Sequence, residues 1–397
     1  MLLFNHIRLD SSVRPSRGIF YSLALFSWSA TLLGIAVYTY FNPDNHTVYP
    51  DYSNAAKNWW LRQNIYDNIH YRYSPLFAIA MTPFAILPEP IGGVLWKLFN
   101  ALFYATGLWA WGRKVLPENL DTERVAIFFL LALPTSLISI YNGQANLFML
   151  GALLWGVACA VGRRWLLAGS WLAVATLVKA YPLALAMLLM ALYPLQFTVP
   201  FVVALGAGLS LPLLIGPQPY SFAQSSLWLE ILFNTAGVRP EKYRSFDQLW
   251  RIYYEPMSPY AYMALEVLAG AAVLGLCLWQ ARQGLDRRAL MTSVFAWFAC
   301  WVLLFGPTTE EATYAVITPA IAWSLLEVFG RPNSRRARCL LLASMAMMGP
   351  LATDLFGTAA RVFATMKGCL PVGALVYLGY LLARELGKMR EREAVVG

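Results

Sequence analysis

Uninterrupted apolar blocks of roughly 15–25 residues recur along almost the whole chain, at about 18–40, 91–112, 125–141, 145–161, 165–178, 180–193, 196–215, 258–281, 289–305, 312–329, 338–353 and 369–384. Blocks of this length match the ~20 residues that a helix needs to cross a hydrocarbon core ~30 Å thick. They are too long and too uniformly apolar for the strands of a barrel. Lipid offers no partner to an unpaired N–H or C=O, so each block must satisfy its own backbone and is read as a helix. With 59% hydrophobic and only 13% charged residues, the composition suits a bilayer better than a water-facing surface. The expectation is an all-α polytopic membrane protein, a single integral membrane domain over residues 1–397 with about 12 transmembrane helices. A shorter apolar stretch at 74–88 leaves that number open between 11 and 13. Its Pro75 and Pro83 suit a short helix packed at one face, and a full crossing would shift the count.

Basic residues give the orientation. If the N-terminus is cytoplasmic, the turns carrying Arg113, Lys114 and Arg124, Arg163 and Arg164, Arg287 and Arg288, and Arg335, Arg336 and Arg338 all lie inside, as do both termini. That frame places 19 of the 30 Lys and Arg inside, and the formal net charge of +9 divides into +10 inside and −1 outside. The surplus is the positive-inside signal of a multi-pass protein, expected here in a plasma (bacterial inner) membrane, and it calls for no nucleic-acid partner. The five cysteines sit in or at the ends of apolar blocks without CxxC spacing, which reads as packing and not as a disulfide or metal framework.

Two connections are too long to be mere links. Residues 41–73 form a first outer loop with Trp59, Trp60 and Tyr66 among charged residues, the pattern of short interfacial helices with aromatics toward lipid. Residues 216–257 form a second large outer loop, polar enough over 233–251 to cap a cavity. Polar residues also interrupt the apolar runs at Asn142-Gly143-Gln144, at Lys179 in Val178-Lys179-Ala180-Tyr181-Pro182, and at Glu310 and Glu311 after Gly306-Pro307. In the frame above all three interruptions face the loop that bears Asp51. Ionisable groups at membrane depth are costly and mark function by default. Each has a bland alternative: Lys179 can snorkel, Glu310 and Glu311 can form a solvated turn, and Asn142 and Gln144 can cap helix ends.

The ordered set Asp51-Tyr52…Ala55-Ala56, Asn64-Ile65-Tyr66-Asp67, Tyr73-Ser74-Pro75-Leu76, Pro83 to Pro88, Tyr141 to Asn146, Ala168-Gly169 to Lys179 and Pro182, and Gly306-Pro307-x-Thr309-Glu310-x-x-Thr313-Tyr314 to Pro319 resembles glycosyltransferase family 87, from about residue 20 to 330. The resemblance implies a C-type glycosyltransferase fold and an inverting enzyme that takes a sugar, typically mannose, from a polyprenyl phosphate. It places Asp51 at the position of the family's acid in the first outer loop, hence the general base, and Tyr73 in a substrate-binding motif. One departure stands out. Many members carry histidines in the segment matching 307–314, whereas the only histidines here are His6, His46 and His70. Tyr314, Thr313 and arginines of the 239–251 loop are the candidates to replace them at the phosphate.

Chemical need fits that implication. Transfer from polyprenyl phosphate to a hydroxyl requires a carboxylate to take the acceptor proton and cations to hold the departing phosphate. Lys179 is the leading phosphate ligand, with Arg251 and Arg244 behind it, while Asn142, Gln144 and Glu310 can bond sugar hydroxyls. The expected partners are a polyprenyl-phosphate sugar donor, a lipid or glycan acceptor and membrane lipids, with the active site on the outer side. No metal ligand set or other cofactor is expected, since the first loop lacks the clustered carboxylates that hard cations prefer. The competing class is a lipid-linked-sugar transporter or flippase. It would require polar groups along a path to the inner face, where the spans read as Leu, Ala, Val and Phe.

Overall fold

The computed structural model describes residues 18–68, 70–235, 244–307, 309–332 and 334–396, and the regular structure among them is all helical. In chain order the helices are α1 (Ile19–Phe41), α2 (Tyr49–Trp60), α3 (Pro75–Ala80), α4 (Thr82–Ala85), α5 (Glu89–Ala110), α6 (Thr122–Asn142), α7 (Asn146–Val161), α8 (Trp165–Val178) and α9 (Pro182–Leu192). There follow α10 (Pro194–Ile215), α11 (Gln218–Thr235), α12 (Phe246–Tyr253), α13 (Pro259–Arg282), α14 (Arg287–Phe305), α15 (Thr318–Phe329), α16 (Arg335–Met348), α17 (Thr358–Met366) and α18 (Cys369–Val396). A wider turn, Trp111–Val115, prolongs α5, and a tighter one, Glu311–Ile317, leads into α15.

Among the described residues eight helical stretches are long and apolar enough to cross a membrane: α1, α5 with its extension, α6, α10, α13, α14, α15 with its lead-in, and α18 to Met389. Three more apolar helices, α7, α8 and α9, are shorter. The protein is a multi-pass helical membrane protein, but the expected 12 spans do not appear as 12 continuous helices. The stretch 74–88 folds as α3 and α4, of 6 and 4 residues. At ~1.5 Å per residue neither approaches the ~30 Å of a hydrocarbon core, because Pro75 and Pro83 each start a new first turn. The expected block 338–353 is likewise cut short. Helix α16 ends at Met348, and Gly349-Pro350 turns the chain into two short 3-10 segments.

Small residues let the spans approach closely. A Cβ added to Gly107 of α5 would lie 3.0 Å from the Cα of Gly151 of α7, and one on Gly169 of α8 would lie 2.6 Å from the backbone N of Phe201 of α10. Helix α8 is held between α7 and α10 by its most extensive contacts. At one end of the bundle the basic turns meet: Arg287 donates to the Val161 carbonyl at 3.2 Å, Arg288 to Asn119 at 2.9 Å, and the Lys114 ammonium lies 5.2 Å from the centre of the Trp155 ring. The opposite end gathers the start of α2, the α6–α7 turn and the Glu310 turn, through Val48 N–H to the Asn142 carbonyl at 3.1 Å and Gln144 to Glu310 at 3.3 Å.

The first long connection corrects one expectation. Trp59 is 2% and Tyr66 7% exposed, so both face the protein and not lipid, while Trp60, 53% exposed, bonds Thr82. Helix α2 lies against α3 and α4, and its inner face joins an aromatic cluster with Tyr52 at 5.2 Å from Phe77 and 6.0 Å from Trp96.

Gly169→Val is expected to lower stability by roughly 1–3 kcal/mol through overpacking. Gly206→Val, which points into open space, should leave it unchanged. Thermal unfolding of the two variants in detergent, followed by tryptophan fluorescence, checks the pair.

Candidate active site

Three helix breaks at that end bring their side chains together. The first is the α6–α7 turn. Gly143 takes the left-handed conformation (φ 63°, ψ 24°) that ends α6, and α5 holds the exposed backbone. Trp96 donates to the Gly143 carbonyl at 2.7 Å and Asn100 to the Gln144 carbonyl at 2.6 Å. Between them Lys97, 2% exposed, donates to Thr39 at 2.9 Å and lies 5.8 Å from the centre of the Tyr141 ring. Its place beside the carbonyl end of α6 is one that favours a cation. With its backbone fixed, the Gln144 side chain accepts from Asn146 at 2.8 Å and donates to Glu310 Oε2 at 3.3 Å.

Glu310 itself opens the third break. Its N–H donates to Thr313 Oγ1 at 3.2 Å and its carboxylate closes a reciprocal capping box on the 3-10 turn. The second break separates α8 from α9. Lys179 is extended (φ −141°, ψ 145°), and Pro182 starts the next helix because it cannot donate back into the last one. The Lys179 ammonium then lies 5.9 Å from the centre of the Tyr73 ring. The Tyr73 and Tyr52 hydroxyls are 2.7 Å apart, and the Ala145 N–H donates to Tyr52 at 3.3 Å. Burial, above all, pushes both phenols up from their ordinary range, so they stay neutral at physiological pH.

Asp51 comes from the first turn of α2, where an acidic residue is favoured by the helix dipole. Asn68 donates to its Oδ1 at 2.6 Å. The chain that returns from α2 is held by α11: Tyr220 donates to the Gln63 carbonyl at 2.7 Å, the Ile65 N–H to Gln224 at 3.1 Å, and Trp228 to the Arg72 carbonyl at 3.3 Å. The last turns of α11 then supply an apolar wall of Leu229, Leu232 and Phe233.

The result is a cavity of about 650 Å³ on which Asp51, Tyr73, Gln144, Lys179 and Glu310 all border. Four other expected site residues lie apart from its lining. Asn142 ends α6 and its carbonyl receives the Val48 N–H. Tyr314 is fully buried and donates to the Arg244 carbonyl at 2.7 Å. Arg244 pairs with Glu311 at 3.2 Å, and Arg251 with Asp247 at 2.9 Å within α12. Two residues not singled out from sequence do line the cavity, His70 and Arg72. Buried Asn146 was also passed over, although it stands in the Tyr141 to Asn146 motif. Among the described residues no three His, Cys, Asp or Glu side chains are grouped to hold a metal ion.

The family model described as glycosyltransferase family 87 matches residues 71–307. The chain belongs to glycosyltransferase family 87. It is also 24% identical over 289 residues to a polyprenol-phosphate-mannose-dependent alpha-(1-2)-phosphatidylinositol pentamannoside mannosyltransferase of Mycobacterium tuberculosis (strain CDC 1551 / Oshkosh). That alignment covers 66% of this chain and 64% of the relative, slightly less than two thirds of its length. The family match includes Tyr73, Gln144 and Lys179 but stops short of Asp51 and Glu310. Those two join the group through the geometry of the cavity.

Gly143→Ala tests the turn on which this geometry hangs. The new methyl would lie 3.0 Å from Lys97 Cε in a left-handed backbone, and the conformation alone costs roughly 1–2 kcal/mol. A lowered melting temperature is expected, together with faster hydrogen exchange at 143–148.

Proposed function

We propose that the protein is an inverting glycosyltransferase that moves a sugar, mannose by the likeness to its mycobacterial relative, from a polyprenyl-phosphate donor to a hydroxyl of a lipid or glycan acceptor. The observation that carries this reading is the convergence of Asp51, Lys179, Gln144 and Glu310 on one cavity at the end of the bundle away from the basic turns. By the positive-inside rule the basic end is cytoplasmic, which makes the cavity outward-facing.

The chemistry follows from the groups available. The acceptor hydroxyl approaches Asp51, whose Oδ1 is occupied by Asn68, so Oδ2 takes the proton as the acceptor oxygen attacks the anomeric carbon. The bond from that carbon to the phosphate oxygen breaks on the opposite face, and polyprenyl phosphate leaves with the electron pair as a stabilised anion. No second carboxylate acting as acid is needed. Lys179, extended from the α8–α9 break, neutralises the developing charge. Gln144 and Glu310, already bonded to each other, offer further donor and acceptor positions to sugar hydroxyls. Among the described residues the carboxylates near the cavity do not form a cluster suited to a hard cation, and the reaction is read as metal-independent.

Incubation of the purified protein with radiolabelled polyprenyl-phosphate mannose and a lipid extract should yield a new labelled product. Bound but unchanged donor would mean a scaffold. Asp51→Asn should reduce turnover by at least a hundredfold, the usual scale for removing a general base, while the protein stays folded. Lys179→Ala should impair donor use more than acceptor use, and equal effects would mark a structural lysine. Activity should survive EDTA; loss with recovery on adding manganese would overturn the metal-independent mechanism.

A further inference from the structure

The cavity holds more negative charge than one lysine can balance. Asp51 and Glu310 both line it, and a departing phosphate monoester brings about −1.5 to −2 more. Facing Lys179 alone, that group would be repelled as it forms. Gln144 on the lining already donates to Glu310; the remaining guanidinium and imidazole side chains there among the described residues are Arg72 and His70, and the way the chain is tied down presents both of them. Tyr71, between them, is 1% exposed and donates to the Ser74 carbonyl at 3.2 Å, which anchors the segment inward. Trp228 holds the Arg72 carbonyl from one side. On the other, Asn68 accepts the His70 N–H at 2.9 Å while it donates to Asp51 at 2.6 Å. One asparagine therefore fixes the distance between the carboxylate and the start of this segment.

The geometry points to His70 and Arg72 as the second half of the phosphate grip, opposite Lys179, for a polyprenyl phosphate leaving group. The inference rests on the reading of the cavity as a polyprenyl-phosphate-sugar site and adds the residues that complete it. Arg72 can offer two parallel N–H donors to phosphate oxygens, and His70 a ring N–H. Neither residue belongs to the 307–314 segment, so the grip would come from the first long connection, which α11 helps to hold in place.

The test is binding of farnesyl phosphate to the full-length protein in detergent, with farnesol as the uncharged control. Arg72→Gln and His70→Gln should each weaken farnesyl phosphate roughly ten- to a hundredfold, the cost of one charge-assisted hydrogen bond, and leave farnesol unchanged. Arg72→Lys should recover part of the loss. Lys57→Gln, an exposed change on α2 away from the cavity lining, should have no effect. In turnover, the donor KM should rise with the acceptor KM unaltered. If the wild type binds farnesyl phosphate and both glutamine variants bind it equally well, the grip is refuted while the glycosyltransferase reading stands. If the variants lose farnesol to the same extent, the residues are structural and the inference also fails. Should Arg72→Gln not fold, exposed His70 carries the test alone. Wild-type protein that does not bind farnesyl phosphate would overturn both the inference and the reading beneath it.

Discussion

A helix that stops within a membrane protein leaves carbonyl and N–H groups that water cannot reach, and each must find a partner in the protein. Three such stops, after Asn142, Val178 and Phe305, organise this molecule. At the first, Trp96 and Asn100 of α5 take the role water would have played. At the third, Thr309 Oγ1 donates to the Val302 carbonyl at 2.8 Å and Glu310 caps the turn that follows. The stops are also where polar side chains can exist without being buried in lipid. The breaks that the bilayer makes expensive are therefore the places from which Gln144, Lys179 and Glu310 reach a common cavity. Glu310 does both, capping the turn and bordering the cavity.

The first long connection is the other half of the arrangement. Helix α2 is amphipathic, and its apolar side is spent on protein contacts with α3, α4 and the aromatic cluster around Tyr52, Phe77 and Trp96. That docking carries Asp51 to the edge of the cavity. The return strand of the connection has little regular structure, and its order comes from side chains of α11, with Gln224 and Trp228 receiving and giving backbone hydrogen bonds. The first long connection and α11 are thus joined over the end of the bundle, and α11 belongs to the site as much as the breaks do.

How much of this was legible in the sequence depended on contrast. Lys179, Gln144 and Glu310 stand out because each is polar in an apolar setting, and all three reach the cavity. Asp51 lies in a polar loop, and only its likeness to a family motif distinguished it from Asp44 or Asp67. His70 and Arg72 had neither aid, since a charged residue in a solvated loop looks like any other until the fold shows what it faces. Trp59 and Tyr66 misled for a related reason: an amphipathic pattern gives an apolar face but not whether lipid or tyrosine rings cover it. Eight continuous helices of spanning length and three shorter apolar ones stand where about 12 spans were expected, and apolar content persists through Pro75, Pro83 and Gly349-Pro350, where the backbone turns. Those three breaks were visible as residues, but their effect on length depends on packing that no local pattern encodes.

Charge asymmetry along the chain and the position of the cavity agree. The turns bearing Arg113, Arg163, Arg287 and their neighbours lie at one end and the polar breaks at the other. The cavity at the second end is proposed as the place where a lipid-linked sugar phosphate reacts. An experimental structure with a polyprenyl-phosphate sugar bound tests it most directly. The expected result is a phosphate in hydrogen-bonding reach of Lys179, with the anomeric carbon on the side of Asp51. A phosphate seated away from Lys179, or at the end where Arg287 and Arg288 gather, would contradict the account.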